Sequence, residues 1–233
     1  LDRWLKQRKI ANVYQGRNIV AVSRAVGDDL QQNLPIRPRR LAVINNPFDI
    51  DAIQQQAAAP CELAGQDYLV HVGRFHATKR HDRLLKAYAH SGIQAPLALI
   101  GTGDDARVAE VKRLATDLGI AERVLFLGFQ ANPYPFIRHA SLLVLSSDSE
   151  GFGNVLVESL LCGTPVVSTR CPGGPAEILE KAGMANALAE LNEASLAEKM
   201  AEIYANPPQI NQQQLLSYGL EPICRQYIEL KEK

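Results

Sequence analysis

Short apolar runs separated by polar segments recur through the middle of the chain, between residues 68 and 167. The runs are rich in valine and leucine and do not alternate with polar positions, which is typical of strands buried on both faces. The segments between them carry apolar residues at helical spacing. The predicted strands are residues 68–72, 97–100, 124–127, 142–145 and 166–167, and the predicted helices are 80–90, 105–118, 135–139, 194–204 and 220–230. This pattern predicts an α/β fold, a Rossmann-like parallel sheet with helices on both faces.

The most informative stretch is residues 146–167, where a loop of serine, aspartate and glycine follows a predicted strand. Apolar residues then recur at helical spacing until Gly163 and Pro165, which are typical of a helix end. Glu150 lies in the loop and Glu158 lies on the helix. The loop is predicted to lie at the carboxyl edge of a parallel sheet, where open α/β sheets bind ligands.

The two glutamates have different predicted surroundings. Glu158 lies among apolar residues, so we expect a half-buried carboxylate that requires a partner or a ligand, such as ribose hydroxyls. Glu150 precedes a Gly-Phe-Gly segment whose free backbone N–H groups would open the helix toward a phosphate or a sugar. The alternative from the residues alone is that both are surface residues, with Glu150 favoured by the helix dipole.

The loop after the strand at residues 68–72 carries positive charge. Gly73 permits a turn, Arg74 offers a planar guanidinium that suits phosphate, and Lys79 offers a compact ammonium. Because this loop also lies at the carboxyl edge of the sheet, we expect its cations to lie near Glu150. A diphosphate leaving group requires positive charge of this kind. The alternative is that Lys79 is solvated at a helix start, although the helix dipole disfavours cations there.

The sequence Glu-Gly-Phe-Gly-Asn-Val-Leu-Val-Glu at residues 150–158, followed by Gly-Thr-Pro-Val-Val, resembles a known signature. It is similar to the E-x7-E motif of retaining glycosyltransferases with the GT-B fold, the family-four group. The G-R-x4-K spacing from Gly73 to Lys79 also resembles this family, and the resemblance covers roughly residues 18–232. The implied catalytic residues are Glu150, Arg74 and Lys79, and the implied donor-binding residues are Glu158, Gly73, Gly151, Phe152, Gly153, Asn154 and Phe129.

The resemblance implies transfer of a sugar from a nucleotide diphosphate sugar, with a UDP-sugar favoured, and retention of configuration. Glu150 would hold the sugar and Glu158 the ribose, while Arg74 and Lys79 would hold the leaving diphosphate. No cofactor and no metal are expected. Phe129 ends a predicted strand at the same sheet edge, so it is a candidate for the nucleobase pocket, with core packing as the open alternative. Which sugar, base and acceptor are used is left open.

Domain boundaries follow from the same resemblance. Residues 1–46 resemble the end of an N-terminal acceptor-binding domain, residues 47–66 an interdomain linker, residues 67–220 the donor-binding domain and residues 221–233 a C-terminal helix. The first part has predicted helices at 1–13 and 24–34 and strands at 18–22 and 41–44, which bury too little to be stable alone. Because the chain also begins at Leu1, we expect a fragment of a longer protein.

Two alternative functions each rest on a single sequence feature. Residues 101–106, Gly-Thr-Gly-Asp-Asp-Ala, match the G-x-G-x-x-G/A dinucleotide-binding motif, which would suit an NAD-dependent oxidoreductase. Two aspartates at that helix start would repel a pyrophosphate, so a tight turn followed by acids at the helix N-cap is favoured. Asp49-Ile50-Asp51 resembles a D-x-D metal site but lacks a strand-end context. The remaining alternatives are a non-hydrolysing sugar-nucleotide epimerase, which shares the fold, and a catalytically silent nucleotide-binding module.

The amino-acid composition limits the classes of partner that we expect. The 233 residues carry 25 basic and 25 acidic side chains, which gives no support to nucleic-acid binding. The four cysteines show no metal-ligand spacing. Residues 168–178 most resemble bacterial enzymes of lipopolysaccharide and surface-polysaccharide assembly. We therefore expect a glycan or glycolipid acceptor and a cytoplasmic location that includes the inner face of the cytoplasmic membrane, with peripheral attachment through the rest of the N-terminal domain.

Overall fold

The computed structural model describes residues 2–34 and 36–232. The N-terminal part contains the helices α1 (Asp2–Tyr14) and α2 (Arg24–Gln32) and the strands β1 (Asn18–Ala21) and β2 (Arg40–Val43). β1 and β2 pair in parallel, with Asn18 opposite Arg40. The first residue of the helix predicted at 1–13 lies outside the described residues, and the other predicted elements of this part are confirmed within a few residues.

The second part is a larger α/β unit. Its strands are β3 (Leu69–Val72), β4 (Leu97–Ile100), β5 (Val124–Gly128), β6 (Leu142–Leu145), β7 (Val166–Thr169) and β8 (Leu188–Ala189). Its helices are α3 (Ile50–Ala57), α4 (His81–His90), α5 (Asp105–Asp117), α6 (Tyr134–His139), α7 (Asn154–Leu161), α8 (Pro175–Lys181), α9 (Glu193–Ala205), α10 (Gln212–Leu215) and α11 (Leu220–Glu232). The predicted parallel sheet with helices packed on it is confirmed.

The strand order of this sheet determines where a ligand can bind. The six strands run β5-β4-β3-β6-β7-β8, and all neighbouring pairs are parallel. The chain therefore moves outward from β3 in one direction and then returns to β6 to move outward in the other. Such a reversal opens a crevice between the two loops at the carboxyl ends of the strands. Here those loops are residues 73–80 and 146–153, the two segments that the sequence predicts to be functional.

The core is built from the central strands. Every residue of β4, β6 and β7 is buried, which agrees with the continuous apolar runs of the sequence. Helices cover the strands, and α9 packs against α4 as well as against β6, β7 and β8. Among the described residues, no helix has the length and apolarity required to cross a membrane.

Two segments differ from the prediction. Residues 47–66, which we predicted to be a linker, contain α3, and its residues Ile53 and Ala57 are buried in the main core. Asp49 caps this helix by accepting a hydrogen bond from the backbone N–H of Ala52, so its carboxylate has a structural partner. The sheet also contains β8, which the sequence pattern did not predict because a strand of two residues is too short to show periodicity.

Candidate functional site

Lys79 and Glu150 meet in the crevice between β3 and β6, as the sequence predicts. The Lys79 ammonium lies 2.6 Å from Oε1 of Glu150, and both side chains are largely buried. Ser147 donates a second hydrogen bond to the same oxygen, also at 2.6 Å. Oε2 of Glu150 accepts no hydrogen bond from any residue in the described part of the chain. The carboxylate is therefore fixed through one oxygen and leaves the other available to a ligand.

Glu158 has a different environment on α7. Its carboxylate is half-buried and has no hydrogen bond or ion pair with any described residue. Burial raises the pKa of this carboxyl above its ordinary value. Burial also raises the pKa of the Cys162 thiol to about 11, and the charge of Glu158 adds to that shift. The predicted half-buried carboxylate is thus present, and none of the described residues is its partner.

The start of α7 presents unpaired donors. Among the described residues, the backbone N–H groups of residues 151–154 make no hydrogen bond to the protein. Gly153 precedes the helix with a φ of 96°, a conformation that glycine adopts without strain. The exposed Asn154 accepts a hydrogen bond from Asn46 at 2.7 Å. A helix start with free N–H groups is suited to an anion or to polar sugar oxygens.

The side chain of Phe152 does not belong to the open part of the site. It is buried and packs against Phe48 and Tyr218, with ring centroids 6.4 and 5.6 Å away. The predicted donor-binding role of Phe152 is therefore restricted to its backbone N–H. Because these three aromatic residues are far apart in sequence, the local pattern gave no sign of this packing.

Arg74 and Phe129 are open to solvent. Arg74 is exposed and makes no side-chain hydrogen bond or ion pair with another described residue, so its guanidinium is free for an anion. Phe129, directly after β5, is 72% exposed, which excludes core packing. Contact with the nucleobase stays a prediction for this side chain. Gly73 lies over the ring of His71, where a Cβ would be 3.1 Å from Nε2.

Two pairs of glycines bring the site loops together. A Cβ on Gly173 would lie 1.7 Å from the carbonyl oxygen of Glu150, and one on Gly174 would lie 2.3 Å from that of Phe152. The backbone of the segment after β7 therefore packs directly on the loop that carries Glu150, and the N–H of Glu150 donates to the carbonyl of Pro172. This close packing accounts for the glycines without a direct contact to a ligand.

The second pair explains the apparent dinucleotide motif. A Cβ on Gly101 would lie 2.0 Å from the carbonyl oxygen of Gly73, and one on Gly103 would lie 2.4 Å from the Cβ of Phe75. Asp104 caps α5 by accepting from the backbone N–H of Arg107. These contacts agree with the tight-turn interpretation rather than with a pyrophosphate site.

The N-terminal part of the chain reaches the same loop. Ser23, the N-cap of α2, donates a hydrogen bond of 2.9 Å to the carbonyl of Gly151. The N–H of Ala25 donates to the carboxylate of Glu177 at the start of α8. The exposed Arg24 lies 3.4 Å from the same carboxylate. One end of α2 is therefore held between the Glu150 loop and α8.

Two histidines lie beneath the loops. The Nδ1 of His71 is 2.8 Å from the carbonyl of Val144, so Nδ1 carries the proton and Nε2 is left without a partner. His81 stacks on Phe75 with ring centroids 4.4 Å apart, and its Nε2 is also unpaired. Burial lowers the pKa of His71 to about 4 and that of His81 to about 3, so both rings are neutral at pH 7. His71 lies buried on β3, as its place in a predicted strand indicates, whereas the sequence pattern contained no sign of His81 or of Ser147, which lies three residues before Glu150.

Comparison with known proteins agrees with this geometry. Residues 54–219 match the family described as glycosyl transferases group 1. An N-acetylgalactosaminyltransferase of Campylobacter jejuni that acts on a diphospho-undecaprenol substrate is 34% identical over 151 residues, which are 65% of this chain and 40% of that protein. A lipopolysaccharide core biosynthesis glycosyltransferase of Rhizobium meliloti is 42% identical over 103 residues, 44% of this chain and 29% of that protein. The chain thus spans less than half the length of these relatives.

The solved structures extend the similarity to nearly the whole chain. An Anabaena protein in complex with UDP superposes with a TM-score of 0.76 at 26% identity, over 96% of this chain and 65% of that one. The same Anabaena protein in complex with UDP-glucose gives a TM-score of 0.77 at 25% identity, over 97% and 67%. These neighbours have the GT-B fold that the sequence resemblance implies, and the family match covers most of the chain. The chain therefore belongs to the glycosyl transferases group 1 family.

Proposed function

We propose that this chain binds a nucleotide diphosphate sugar in the crevice between β3 and β6. The observation that carries the proposal is the contrast between Glu150, fixed through one oxygen by Lys79 and Ser147, and Glu158, half-buried without a described partner. A carboxylate that is partly removed from water without gaining a partner is costly. Hydroxyl donors of a ribose would satisfy it.

The other residues of the site would each bind a different part of the donor. Arg74 and Lys79 would grip the diphosphate, where negative charge develops as the sugar leaves. The free N–H groups of Gly151 and Gly153 would face the sugar or a phosphate. Phe129 would lie against the nucleobase. A UDP-sugar is favoured, and this choice is supported by the Anabaena neighbour, which is described with UDP and UDP-glucose.

We further propose that the protein to which this chain belongs transfers the sugar to a glycan or glycolipid acceptor with retention of configuration. The names of the relatives, which act in lipopolysaccharide core synthesis or on a diphospho-undecaprenol substrate, support an acceptor of this class. A cytoplasmic location at the inner face of the membrane fits such an acceptor. The positive charge of Arg74, Lys79 and the start of α7 replaces that of a divalent metal, so transfer needs none.

Binding is tested on this chain by thermal unfolding with UDP, GDP and no ligand, since a ligand that binds only the folded state raises the melting temperature. We expect UDP to raise it more than GDP does, and we expect no transfer by the chain alone. Holding two reactants together can lower the activation barrier by roughly 7–11 kcal/mol. We expect the acceptor to be held by residues of the N-terminal domain beyond 2–46, so this chain alone lacks that contribution. No shift with either nucleotide would contradict the binding proposal.

Transfer is tested on the longer protein with a UDP-sugar and a glycan acceptor, in the presence and absence of a chelator. NMR of the product anomer should show retention, and activity should survive chelation. Activity that is abolished by the chelator and restored by Mg²⁺ or Mn²⁺ would contradict the metal-independent proposal. Conversion of the donor sugar to its epimer without acceptor glycosylation would identify an epimerase instead.

A further inference from the structure

Arg80, the residue after Lys79, has an unusual backbone. Its φ and ψ are 50° and 52°, and among the described non-glycine residues it alone has a positive φ. Side chains with a Cβ are disfavoured in this left-handed region. Arg80 ends the turn that carries Lys79 and precedes the first residue of α4. Strain of this kind persists only where surrounding contacts enforce it, and such positions cluster at functional sites.

The contacts that enforce it form a cluster of four charged residues, which we call the clamp: Arg80, Asp82, Arg83 and Asp148. The Arg80 guanidinium holds Asp82 through two hydrogen bonds of 2.9 and 2.8 Å and reaches both oxygens of Asp148 at 3.1 Å. Arg83 donates to Asp148 at 2.6 Å. The two arginines lower the pKa of the Asp148 carboxyl, which is therefore ionised at neutral pH.

The clamp spans the two loops of the donor site. Arg80 follows Lys79 directly and Arg83 lies on the first turn of α4, whereas Asp148 lies two residues before Glu150. The buried Arg83 also donates to the carbonyl of Ser146 at 2.8 Å. Around these ion pairs the loops share two further bonds, from the Asp148 N–H to the Thr78 carbonyl and from the Ser146 hydroxyl to the Lys79 carbonyl, at 2.8 and 2.7 Å.

The pairing is more than an exposed surface contact. The Arg83 side chain is only 6% exposed, and a buried guanidinium requires a counter-charge in fixed geometry. Asp148 supplies that charge from the other loop and is shared with Arg80. Because one carboxylate joins both arginines, its loss would release the two loops from each other at the point where Lys79 meets Glu150.

We propose that Arg80, Arg83 and Asp148 are positioning residues that hold Lys79 and Glu150 at the separation a nucleotide diphosphate sugar requires. In this role they act through the two loops and not by contact with the donor. This inference rests on the proposed function, because the Lys79–Glu150 pair matters for binding only if the donor lies there. A purely structural clamp would stabilise the fold without affecting recognition of the diphosphate.

The test uses Asp148→Asn, which removes the shared charge and keeps the shape, and Arg80→Gly, which removes the ion pairs of Arg80, leaves that between Arg83 and Asp148, and suits the left-handed backbone. Glu202→Gln, which breaks the exposed ion pair between Lys199 and Glu202 on α9, is the matched control. The first readout is amide hydrogen exchange by NMR at positions 148 and 150, whose N–H groups donate to the carbonyls of Thr78 and Pro172. We expect exchange there to accelerate at least ten-fold in both clamp variants and to stay unchanged in the control.

The second readout compares the affinity for UDP with that for uridine, which lacks phosphate. We expect UDP binding to weaken about five- to ten-fold in both clamp variants and uridine binding to change less than two-fold. Equal losses for UDP and uridine would overturn the positioning role, as would unchanged exchange at position 148. Failure of the unaltered protein to bind UDP would refute the proposed function, and with it the role of the clamp in donor binding. In that case accelerated exchange would still show that the ion pairs hold the loops.

Discussion

The two glutamates of the motif lie eight positions apart and have opposite environments. Glu150 lies in a loop braced from several sides, with Lys79 and Ser147 on one carboxylate oxygen and the Pro172 carbonyl on its backbone N–H. Glu158 lies on a regular helix and has no partner among the described residues. The loop around Glu150 is therefore held by protein contacts alone, whereas the helix carries a half-buried carboxylate for which none of the described residues is a partner.

The environment of Glu158 makes the stability of the fold depend on pH. Burial raises the pKa of Glu158 in the folded chain above its unfolded value, so the folded state binds a proton more readily. The stability that this group contributes is therefore present at low pH and falls as pH rises through the raised pKa. At neutral pH, Glu158 reduces stability, which is typical of a functional residue.

The largest loss of stability should come from disrupting the close backbone contact between Gly173 and Glu150. Gly173→Ala places a Cβ on the Glu150 carbonyl at a φ of 123°, so backbone must move against backbone. We expect a loss of more than about 3 kcal/mol in the free energy of unfolding. Gly163→Ala is the control, because its φ is also positive but nothing lies within 4 Å of the new Cβ. That variant should lose only about 1–2 kcal/mol, and denaturant unfolding of equal cost in both would refute the packing explanation.

The second-largest effect should be a decrease in the free energy of unfolding at acid pH, caused by the two buried histidines. His71 and His81 have folded pKa values of about 4 and about 3, below their unfolded values, so the unfolded chain takes up protons first as pH falls. Unfolding free energy should fall from pH 6.5 toward pH 4, by on the order of a few kcal/mol. His81→Phe keeps a ring on Phe75 and should flatten this decline. Unfolding curves with the same pH slope in both proteins would exclude His81 as a source.

The glutamates themselves should respond in opposite directions. Glu150→Gln removes the charge that pairs with the largely buried Lys79 and should lower the unfolding free energy by roughly 1–3 kcal/mol. Glu158→Gln removes an unpaired charge and should leave stability at pH 7 unchanged or raise it by up to roughly 1 kcal/mol. Denaturant unfolding of the two variants side by side measures the difference, and a larger loss for Glu158→Gln would show that this carboxylate has a structural partner.

The smallest effect concerns the N-terminal part. Glu177→Ala removes the acceptor of the Ala25 N–H at the start of α2 and should lower the unfolding free energy by about 1 kcal/mol. Arg24→Ala removes only an exposed partner of the same carboxylate and should cost less than about 0.5 kcal/mol. A larger loss for Arg24→Ala would mean that the ion pair, rather than the cap, joins α2 to α8.

The sequence predicted which loops form the site because carboxyl ends of parallel strands meet at one edge. This rule of sheet topology brings Lys79 and Glu150 together without knowledge of any side-chain contact. It could not find the partners of Glu150, because Ser147 and the clamp depend on rotamers and on the relative placement of two loops about 70 residues apart. It also could not show that Phe152 is buried, since Phe48 and Tyr218 approach it only in the folded chain.

The missed helix α3 has a clearer cause. Residues 47–66 are rich in glutamine and alanine, and this composition hid the helical spacing of Ile50, Ile53 and Ala57. The signal that was available is Asp49, an N-cap residue three positions before Ala52, together with the high helix propensity of alanine. Pro47 and Pro60 suggested a linker, but they lie before and after the segment in which the helix forms and do not interrupt it.

The most direct test of the site is calorimetric titration of UDP into the unaltered chain, Glu158→Ala and Glu180→Ala, the last carrying a change at an exposed acid on α8. Hydrogen bonds to a charged group contribute roughly 1.5–3 kcal/mol. We therefore expect Glu158→Ala to weaken UDP binding by about ten-fold or more and Glu180→Ala to bind as the unaltered chain does. Equal UDP affinity in all three folded proteins would remove Glu158 from the site and contradict a ligand role for the unpaired carboxylate.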